Sequence, residues 1–553
     1  MEKKWWHKTV GYQIYPKSFQ DTNGDGIGDL KGVIRHLDKI EKLGANVIWL
    51  CPVFASPMVD NGYDISDYMD IDPSFGTMED MKELIAEAKK RGIRILMDLV
   101  VNHSSDRHAW FQAALQDPFG KYGKYYVFRE GKDGKEPNNW RSIFGGSAWE
   151  KVPGYDNLYY LHIFTKEQPD LNWENPKLRE EIYEMILKWM DLGLGGFRLD
   201  AISHLKKNYQ YTNLPPDGPD EYNMAFEYFN NVDGLADILC EMKERTFAPT
   251  DALTIGEYDH MGPEDVEDVI GENGSFSSVF DFCHTLDNVR NPKWGNTVAL
   301  FDDYRDQLFA AQKIVDGRGM LCNFLENHDK TRIIDRFLMP EDQNRYSEKM
   351  LPVTNFFLPG IVFLYQGQEI GMTNCVRNDI SEYDDISTKD QYQAALNAGC
   401  SKEAALHACY ENSRDNARTP MQWDNSLHGG FTTGTPWLAE NPNYTKINVT
   451  DQLNRPDSVL SFYKELIALR KAPEYVETFT YGTFAAAYED VDHMFAYYRT
   501  NEETGQRILV AGNFGTDTVT LPLEKPADRV LLTNGKTADV ILTRNRESAS
   551  LVL

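Results

Sequence analysis

The chain has 553 residues, of which 41% are apolar and 26% are charged, a composition typical of a soluble globular protein with more than one domain. The formal net charge of −28 argues against nucleic acids and anionic membranes as partners, because phosphate groups would be repelled. No apolar run approaches the roughly 18 residues that a membrane span needs, so no membrane anchor is expected.

The N-terminal sequence and the cysteines bear on the cellular compartment. Residues 1–7 lead directly into strand-like sequence and lack the long apolar core of a signal peptide, so we expect a cytoplasmic protein. The seven cysteines are scattered and include no Cys-x-x-Cys pair, which favours reduced thiols over a zinc site or a disulfide framework. The sequence indicates no organic cofactor, and it makes no prediction about an oligomer.

Strand-like and helix-like runs alternate along most of the chain. A capping box at Thr77 and Asp80 begins a helix that runs to about residue 91, and helices are also predicted over 30–43 and 176–192. Eight strands are predicted, at 10–15, 46–51, 93–101, 195–201, 253–256, 279–282, 320–325 and 361–365. Eight strands that each alternate with a helix-sized segment predict an α/β fold, a (β/α)8 TIM barrel.

Two insertions and a C-terminal extension complete the predicted architecture. Residues 104–175 follow the third strand, are rich in Gly, Asn, Trp and Tyr, and show no helical period, so they predict a small inserted B domain. Residues 374–426 form a polar excursion after the eighth strand, with one helical piece at about 389–410. Residues 481–553 contain strands and turns only, which predicts an antiparallel β-sandwich. The barrel would then comprise residues 1–103 and 176–480.

Three isolated acids lie at or just after the ends of predicted strands, namely Asp200, Glu257 and Asp329. Carboxylates at successive strand ends form the active site of a parallel barrel. A retaining glycosidase needs one carboxylate as nucleophile and one as acid/base, about 5–5.5 Å apart, and adjacent strand ends allow this separation for Asp200 and Glu257. Arg198 lies on the same strand face as Asp200 and would keep it ionised, whereas Glu257 has no local cation, so its pKa can rise.

A short segment near the N-terminus has the spacing of a calcium loop. Oxygen ligands alternate around glycines, and the expected set comprises the side chains of Asp21, Asn23, Asp25 and Asp29 with the carbonyl of Ile27. The loop is not a complete EF-hand, because its twelfth position is Gly32 rather than Glu. The alternative interpretation is a hydrogen-bonded turn rich in Asn and Asp.

These motifs together resemble the α-amylase superfamily. Its four conserved regions are similar to residues 98–103, 196–200, 254–257 and 324–329 of this chain. Three further segments resemble markers of the oligo-1,6-glucosidase branch, namely residues 12–19, 168–172 and 413–423. The resemblance extends from about residue 6 to residue 500, and it implies a TIM barrel with glycoside hydrolase activity.

The resemblance also implies roles for individual residues. By similarity, Asp200 is the nucleophile, Glu257 is the acid/base and Asp329 stabilises the transition state. The residues expected around a terminal glucose are Asp60, Tyr63, His103, Arg198, His328 and Arg414. The branch has a pocket-shaped site, which implies an exo-acting α-glucosidase that releases glucose from maltose- or isomaltose-type oligosaccharides, and one structural Ca²⁺, for which Mg²⁺ can substitute.

The sequence does not decide which glycosidic linkage the substrate has. Ala201 after the nucleophile, with His204, leans slightly towards α-1,4-linked or broad specificity. Glu326 and residues 258–260 depart from the branch pattern and are expected to face the aglycone, the part of the substrate beyond the scissile bond.

The alternative functions on the same scaffold are a glucosyltransferase or sucrose isomerase and a trehalose-6-phosphate hydrolase. Sucrose isomerases show Arg-Leu-Asp-Arg-Asp where residues 285–289 of this chain lack both arginines. A trehalose-6-phosphate hydrolase needs cations for a phosphate, for which Lys206, Lys207 or Lys293 are the candidates. A non-enzymatic relative of the family would lose carboxylates, whereas this chain keeps all three.

Overall fold

The barrel predicted from the sequence is present. The computed structural model describes residues 3–218, 220–258, 261–280, 282, 301–338, 340–515, 518–523, 527–534, 541–542 and 548–552. Its barrel is closed by eight parallel strands, each paired with the next in chain order and the last with the first. These strands are Val10–Ile14, Val47–Leu50, Arg94–Val100, Gly196–Asp200, Leu253–Gly256, Ser278–Phe280, Leu321–Phe324 and Ile361–Tyr365.

Helices surround the barrel, and local sequence sets where they begin and end. Asp29 caps the helix Leu30–Leu43 by accepting a hydrogen bond from the Gly32 N–H, and Gly44 ends it in the left-handed conformation, at φ +102°. The predicted capping box of Thr77 and Asp80 begins the helix Met78–Lys90. Further helices of the barrel region are Pro176–Asp191, Leu235–Met242, Val266–Ile270, Phe301–Val315, Ile333–Phe337, Arg345–Phe356, Val449–Leu453, Val459–Lys471 and Val476–Tyr481.

Two expectations about helices in the insertions were wrong. The segment after the third strand contains the helix Ala109–Gln116, which buries only Phe111 and Ala114. One buried pair is too short a pattern to reveal a helical period. The single helical piece expected at 389–410 is two helices, Ile386–Asn397 and Lys402–Asn412, separated by Gly399 at φ +91°. Asp385 and Ser401 cap them.

The insertion after the third strand and the C-terminal region both form antiparallel sheets. A three-stranded sheet in the insertion has Leu158–Leu161 between Phe128–Glu130 and Trp149–Lys151. The C-terminal five-stranded sheet has the order Thr483–Ala486, Met494–Asn501, Gln506–Asn513, Ser548–Val552, Arg529–Thr533. The pair Val519–Thr520 and Ile541–Leu542 forms a separate two-stranded sheet. In the described part of the chain, every helix is too short or too polar to cross a bilayer.

A buried lysine connects the insertion to the barrel. The Lys207 ammonium lies 2.7 Å from Asn102 Oδ1, at the end of the third strand, and 3.0 Å from Asp170 Oδ2, at the end of the insertion. Both charged side chains are fully buried. Burial lowers the pKa of Lys207 and raises the pKa of Asp170, and each charge opposes the other shift. The ammonium therefore serves as an internal cross-link between two segments that carry site residues.

We expect Lys207→Met to lower the free energy of unfolding by about 3–5 kcal/mol, because it leaves the Asp170 carboxylate buried without its cation. Urea denaturation measures this loss. The neighbouring Lys206→Met is the matched control: Lys206 pairs with the half-exposed Glu174, so its loss should cost under about 1 kcal/mol. Equal losses in the two variants would contradict the assigned role of Lys207.

Candidate active site

The fourth barrel strand carries Arg198 and Asp200 on its inner face. Residues two apart on a strand point to the same side, and here that side is the barrel interior. The strand begins at Gly196, where an added Cβ would lie 1.9 Å from the carbonyl oxygen of Leu253 on the next strand. Glycine at this position allows the two strands to pair closely, which brings the end of the strand Leu253–Gly256, and Glu257 beyond it, beside Asp200.

Arg198 holds three carboxylates. Its Nη1 lies 2.9 Å from Asp98 Oδ1 and 2.5 Å from Asp200 Oδ1, and its Nη2 lies 2.8 Å from Glu257 Oε2. Glu257 also accepts a hydrogen bond of 2.9 Å from the backbone N–H of Ala201. Because both carboxylates contact one guanidinium, Asp200 and Glu257 lie well within about 10 Å of each other, the range that glycosidases use.

The electrostatic expectations for the two acids change in the folded chain. Glu257 has no cation nearby in the sequence, but Arg198 reaches it from the neighbouring strand. Arg198 was expected to keep Asp200 ionised, but it is shared with Asp98 and Glu257. Burial raises the pKa of Asp200, Arg198 opposes this shift, and the two nearby carboxylates add to it. Asp98 is the most deeply buried of the three, and burial raises its pKa to about 6 against the same opposing cation.

Asp329 lies in the opposite electrostatic environment. Its Oδ1 lies 3.2 Å from Arg414 Nη1 and 2.9 Å from Arg418 Nη2, and its Oδ2 lies 3.0 Å from His328 Nε2. Although burial opposes ionisation, these neighbours hold the pKa of Asp329 well below its usual value. Burial lowers the pKa of His328 to about 3. The Gln13 amide donates to Nδ1 of this neutral ring, which leaves the proton on Nε2, facing Asp329.

The far end of the site is closed by a network around Arg414. Its Nη2 lies 3.3 Å from Asp60 Oδ1 and 2.6 Å from Asp385 Oδ1, on the loop after the eighth strand. Asp60 Oδ2 accepts a hydrogen bond of 3.2 Å from Gln168, whose amide also lies 3.0 Å from His103 Nε2. Burial raises the pKa of Asp60, with Arg414 and Arg418 opposing that shift.

A cavity of about 330 Å³ opens between these two walls. Seven of the nine predicted catalytic and substrate-binding residues line it: Asp60, Tyr63, His103, Asp200, Glu257, Asp329 and Arg414. The other two lie directly behind the lining, where Arg198 contacts Asp200 and His328 contacts Asp329. The volume is in the range of small-molecule sites. The structure therefore brings together nine residues that span more than 350 positions of sequence.

Several lining residues were not predicted from the sequence. Ala201 and His204, considered there for specificity, do line the cavity, but the remaining walls are Ile143, Phe144, Phe164, Met224 and Phe226. These five lie in irregular segments of the insertion and of the loop after the fourth strand, where no periodic pattern marks them. Asp98, Arg418 and Asp385 were also unassigned, although all three are buried charged residues that contact the site.

The unusual Glu326 does not face a substrate. It is 2% exposed, lies 2.9 Å from Arg332 Nη1, and accepts a hydrogen bond of 2.9 Å from the Ile333 N–H. The expectation that it borders the aglycone was wrong, because the strand end turns its side chain into the protein. Of the candidate phosphate-binding lysines, Lys207 is buried and paired, and Lys206 pairs with Glu174. Lys293, residues 285–289 and residues 259–260 lie outside the described residues.

The candidate calcium loop is stabilised by its own hydrogen bonds. Asp21 accepts four of them, from the N–H groups of Asn23, Gly24 and Gly26 and from the hydroxyl of Thr432. Burial opposes the effect, yet these donors hold the pKa of Asp21 below its usual value. Asn23 accepts from the Asp25 N–H, and Asp25 from the Ile27 N–H. Among the described residues, no group of three His, Cys, Asp or Glu side chains is arranged to hold a metal ion.

Comparisons with known proteins agree with this geometry. The oligo-1,6-glucosidase of Parageobacillus thermoglucosidasius is 42% identical over 98% of this chain and 95% of its own length. The glucan 1,6-alpha-glucosidase of Streptococcus pneumoniae serotype 4 is 41% identical over 98% of this chain and 97% of its own.

Solved structures give the same result. The trehalose-6-phosphate hydrolase of Bacillus licheniformis superposes with a TM-score of 0.90 at 36% identity, and the trehalulose synthase of Pseudomonas mesoacidophila MX-45 with 0.93 at 38%, each over 100% of both chains. A model of the alpha-amylase catalytic domain matches residues 13–479. The resemblance inferred from the motifs is confirmed, and the chain belongs to the α-amylase family of glycoside hydrolases.

Proposed function

We propose that this enzyme is a retaining, exo-acting α-glucosidase that releases terminal glucose from short α-glucosides. The observation that carries the proposal is the contact of a single guanidinium, that of Arg198, with both Asp200 and Glu257 at the wall of one cavity. Relatives covering nearly the whole chain are named oligo-1,6-glucosidase and glucan 1,6-alpha-glucosidase, which supports the substrate class.

In the proposed reaction, ionised Asp200 attacks the anomeric carbon while protonated Glu257 donates its proton to the leaving oxygen. The glycosidic bond breaks, and a covalent glucosyl–Asp200 ester forms. Glu257, now a carboxylate, takes a proton from water, and the water oxygen attacks the same carbon and releases Asp200. Because Arg198 contacts both side chains, it remains beside the carboxylate in either half of the reaction.

Asp329 is proposed to bind sugar hydroxyls and to stabilise the positive charge that develops on the ring. Its lowered pKa keeps it ionised, and the neutral His328 donates a hydrogen bond to it and carries no charge that would repel a cation. His103, Tyr63 and Asp60 would bind the remaining hydroxyls of the same glucose unit.

The exo mode follows from the closed end of the cavity. Arg414 contacts Asp60, Asp385 and Asp329 at once, and its guanidinium lies 5.5 Å from the centre of the Phe144 ring. A sugar chain cannot continue through this buried ionic network without breaking it. Only a terminal glucose therefore fits between the network and the pair of Asp200 and Glu257.

The range of linkages is proposed to include both α-1,6 and α-1,4. Ala201 and His204 line the cavity where the leaving group would lie, and the small side chain of Ala201 leaves room for either geometry. The names of the relatives favour α-1,6-linked substrates, whereas Ala201 and His204 lean slightly towards α-1,4-linked substrates. A comparison of kcat/KM on maltose, isomaltose, sucrose and trehalose-6-phosphate ranks these substrates directly.

The charges of the cavity disfavour a phosphorylated substrate. Its described lining contains one guanidinium, that of Arg414, against the four carboxylates Asp60, Asp200, Glu257 and Asp329. Neither described lysine candidate lines it. Evidence against a sucrose isomerase comes from the sequence, where residues 285–289 lack both arginines. These residues lie outside the described part of the structure. Cytoplasmic location likewise stays a prediction from the sequence.

We also propose that residues 21–29 bind one structural Ca²⁺, for which Mg²⁺ can substitute. Asn23, Asp25, Asp29 and the Ile27 carbonyl supply the oxygen ligands that Ca²⁺ prefers, and a carboxylate has about four lone-pair sites, more than these acids use in hydrogen bonds. Asp21 fits less well, because four donors already occupy it. The ion would have no part in the reaction.

Asp200→Asn tests the proposed nucleophile. We expect kcat to fall by about 10³–10⁵-fold with the thermal unfolding midpoint unchanged, because an amide cannot form the ester intermediate. Glucose release from maltose and isomaltose measures the loss, and proton NMR should show that the α-anomer is released first by the wild type. Asp237→Asn, an exposed change outside the cavity lining, is the control. A variant with turnover within tenfold of the wild type would remove Asp200 from this role.

Asp98→Asn tests the shared guanidinium. The Asp98 charge is one cause of the raised pKa of Asp200, so its removal should lower that pKa and move the acidic limb of the kcat/KM profile to lower pH. Asp60→Asn is the control, because Asp60 is a carboxylate held by Arg414 and not by Arg198. It should weaken substrate binding and leave the pH of the acidic limb unchanged. A shift to higher pH in Asp98→Asn, or no shift, would contradict the coupling.

Metal removal tests the loop. Dialysis against a chelator should lower the thermal unfolding midpoint, and added Ca²⁺ should restore it, because an ion that binds only the folded state stabilises it. Asp25→Asn should weaken this Ca²⁺ response, and Asp38→Asn, an exposed change on the following helix, should keep it in full. If Ca²⁺ changed the thermal unfolding midpoint of neither the wild type nor the control, the loop would be a hydrogen-bonded turn without a bound ion.

A further inference from the structure

A second cavity, of about 260 Å³, lies beside the catalytic one. It is formed between the insertion and the helix Ile386–Asn397, and we refer to it as the distal cavity. Two aromatic side chains, Phe144 and Phe164, line both cavities and separate them. Its other walls include the acids Glu150, Glu167 and Asp390 and the hydroxyl groups of Ser142 and Ser147.

One ring nitrogen of a buried histidine in this lining has no hydrogen-bond partner among the described residues. His162 is 5% exposed, and its Nδ1 lies 2.9 Å from the carbonyl oxygen of Phe164. A carbonyl only accepts, so Nδ1 carries the proton and Nε2 is the acceptor of the neutral ring. Within the described residues, no donor hydrogen bonds to Nε2. Burial lowers the pKa of His162 and so favours this neutral form. The ring therefore offers an acceptor to a hydroxyl group from a ligand.

The rest of the lining indicates the class of that ligand. Glu150, Glu167 and Asp390 supply three carboxylates against one ammonium, that of Lys166, so an anion such as a phosphate ester would be repelled. Acceptors of this kind, with the hydroxyls of the serines and Thr165, suit a neutral ligand with many hydroxyl groups. The aromatic faces in the wall suit the apolar face of a sugar ring. The volume is small, which limits the ligand to about one ring.

We propose that the distal cavity binds a neutral glucosyl unit, either free glucose or the glucose ring of a second substrate molecule. The choice of glucose rests on the proposed function, whereas the class of neutral polyol rests on the lining alone.

Occupancy of the distal cavity would influence the catalytic cavity by two contacts. Phe144 and Phe164 are common to both walls. Ile386 and Asp390 lie on the helix that Asp385 caps, and Asp385 holds Arg414 at the closed end of the catalytic cavity. A ligand that packs against these groups would change turnover as well as substrate affinity.

Inhibition kinetics test the proposal. Hydrolysis of p-nitrophenyl α-glucoside is measured with glucose or methyl α-glucoside as inhibitor. Glucose in the catalytic cavity competes with substrate and raises KM alone, so occupation of the distal cavity should add an effect on kcat in the wild type. His162→Leu removes the acceptor, and Asp390→Leu obstructs the cavity from the opposite wall. Both variants should keep kcat within twofold and show competitive inhibition only.

Gln393→Leu, an exposed change on the same helix, is the matched control and should keep the mixed pattern. If only methyl α-glucoside gives the mixed pattern, the ligand is a second glycoside molecule; if glucose gives it too, the product itself binds. Purely competitive inhibition of the wild type by both sugars, or a mixed pattern unchanged in both variants, would overturn the proposal.

Equilibrium titration with glucose separates this result from the proposed function. The wild type should bind in two classes of site, one of them weakened at least tenfold in both variants. A protein that released no glucose from any α-glucoside would contradict the α-glucosidase assignment and leave this binding result standing. A single class of site in the wild type would exclude the distal site whatever the enzyme hydrolyses.

Discussion

The active site depends on one buried guanidinium. Arg198 contacts Asp98, Asp200 and Glu257, and it is 1% exposed. Three carboxylates brought together in a barrel interior would repel one another and lose most of their hydration, so without this cation the arrangement would be costly. With it, two acids from adjacent strands are held on either side of a planar group whose geometry is fixed. The same contact makes their protonation states interdependent.

The two walls of the cavity differ in charge balance, and this difference agrees with the separate roles proposed for their acids. On the Arg198 wall one cation is shared among three acids, and burial raises the pKa values of Asp200 and Asp98. On the opposite wall two guanidiniums, Arg414 and Arg418, lower the pKa of Asp329. Stabilisation of a positively charged ring needs a carboxylate that stays ionised, which the two guanidiniums favour at Asp329, whereas nucleophilic attack and proton transfer are the roles proposed for Asp200 and Glu257 on the Arg198 wall. The two tasks are thus separated in space.

Much of the wall of the catalytic cavity comes from parts of the chain outside the barrel strands. The insertion supplies Phe144 and Phe164, and its end is fixed to the third strand by Lys207. The excursion after the eighth strand supplies Asp385 and Arg414, which close the far end. Both additions therefore narrow an open barrel mouth to a pocket, and the distal cavity lies where they meet. Loop variation of this kind alters specificity on a TIM barrel without altering its catalytic strands.

Much of this could be read from the sequence because the signals are local. The strands and the acids at their ends lie next to each other in the chain, and the barrel topology converts that adjacency into a shared edge. The same local reasoning failed for Glu326, because a strand-end pattern does not say into which environment the side chain turns. Local reasoning also missed the contact of Arg198 with Glu257, because these residues lie on neighbouring strands.

The chain by itself determined the family, the barrel and the three acids, since each rests on a short run of residues with a fixed spacing. Tertiary structure decided the rest: which carboxylates share a guanidinium, which aromatic side chains form the walls, and where the pocket ends. Those features join residues hundreds of positions apart, such as Asp60 and Arg414. The energies of these contacts depend on distance and burial in three dimensions, and neither quantity follows from the local order of the residues.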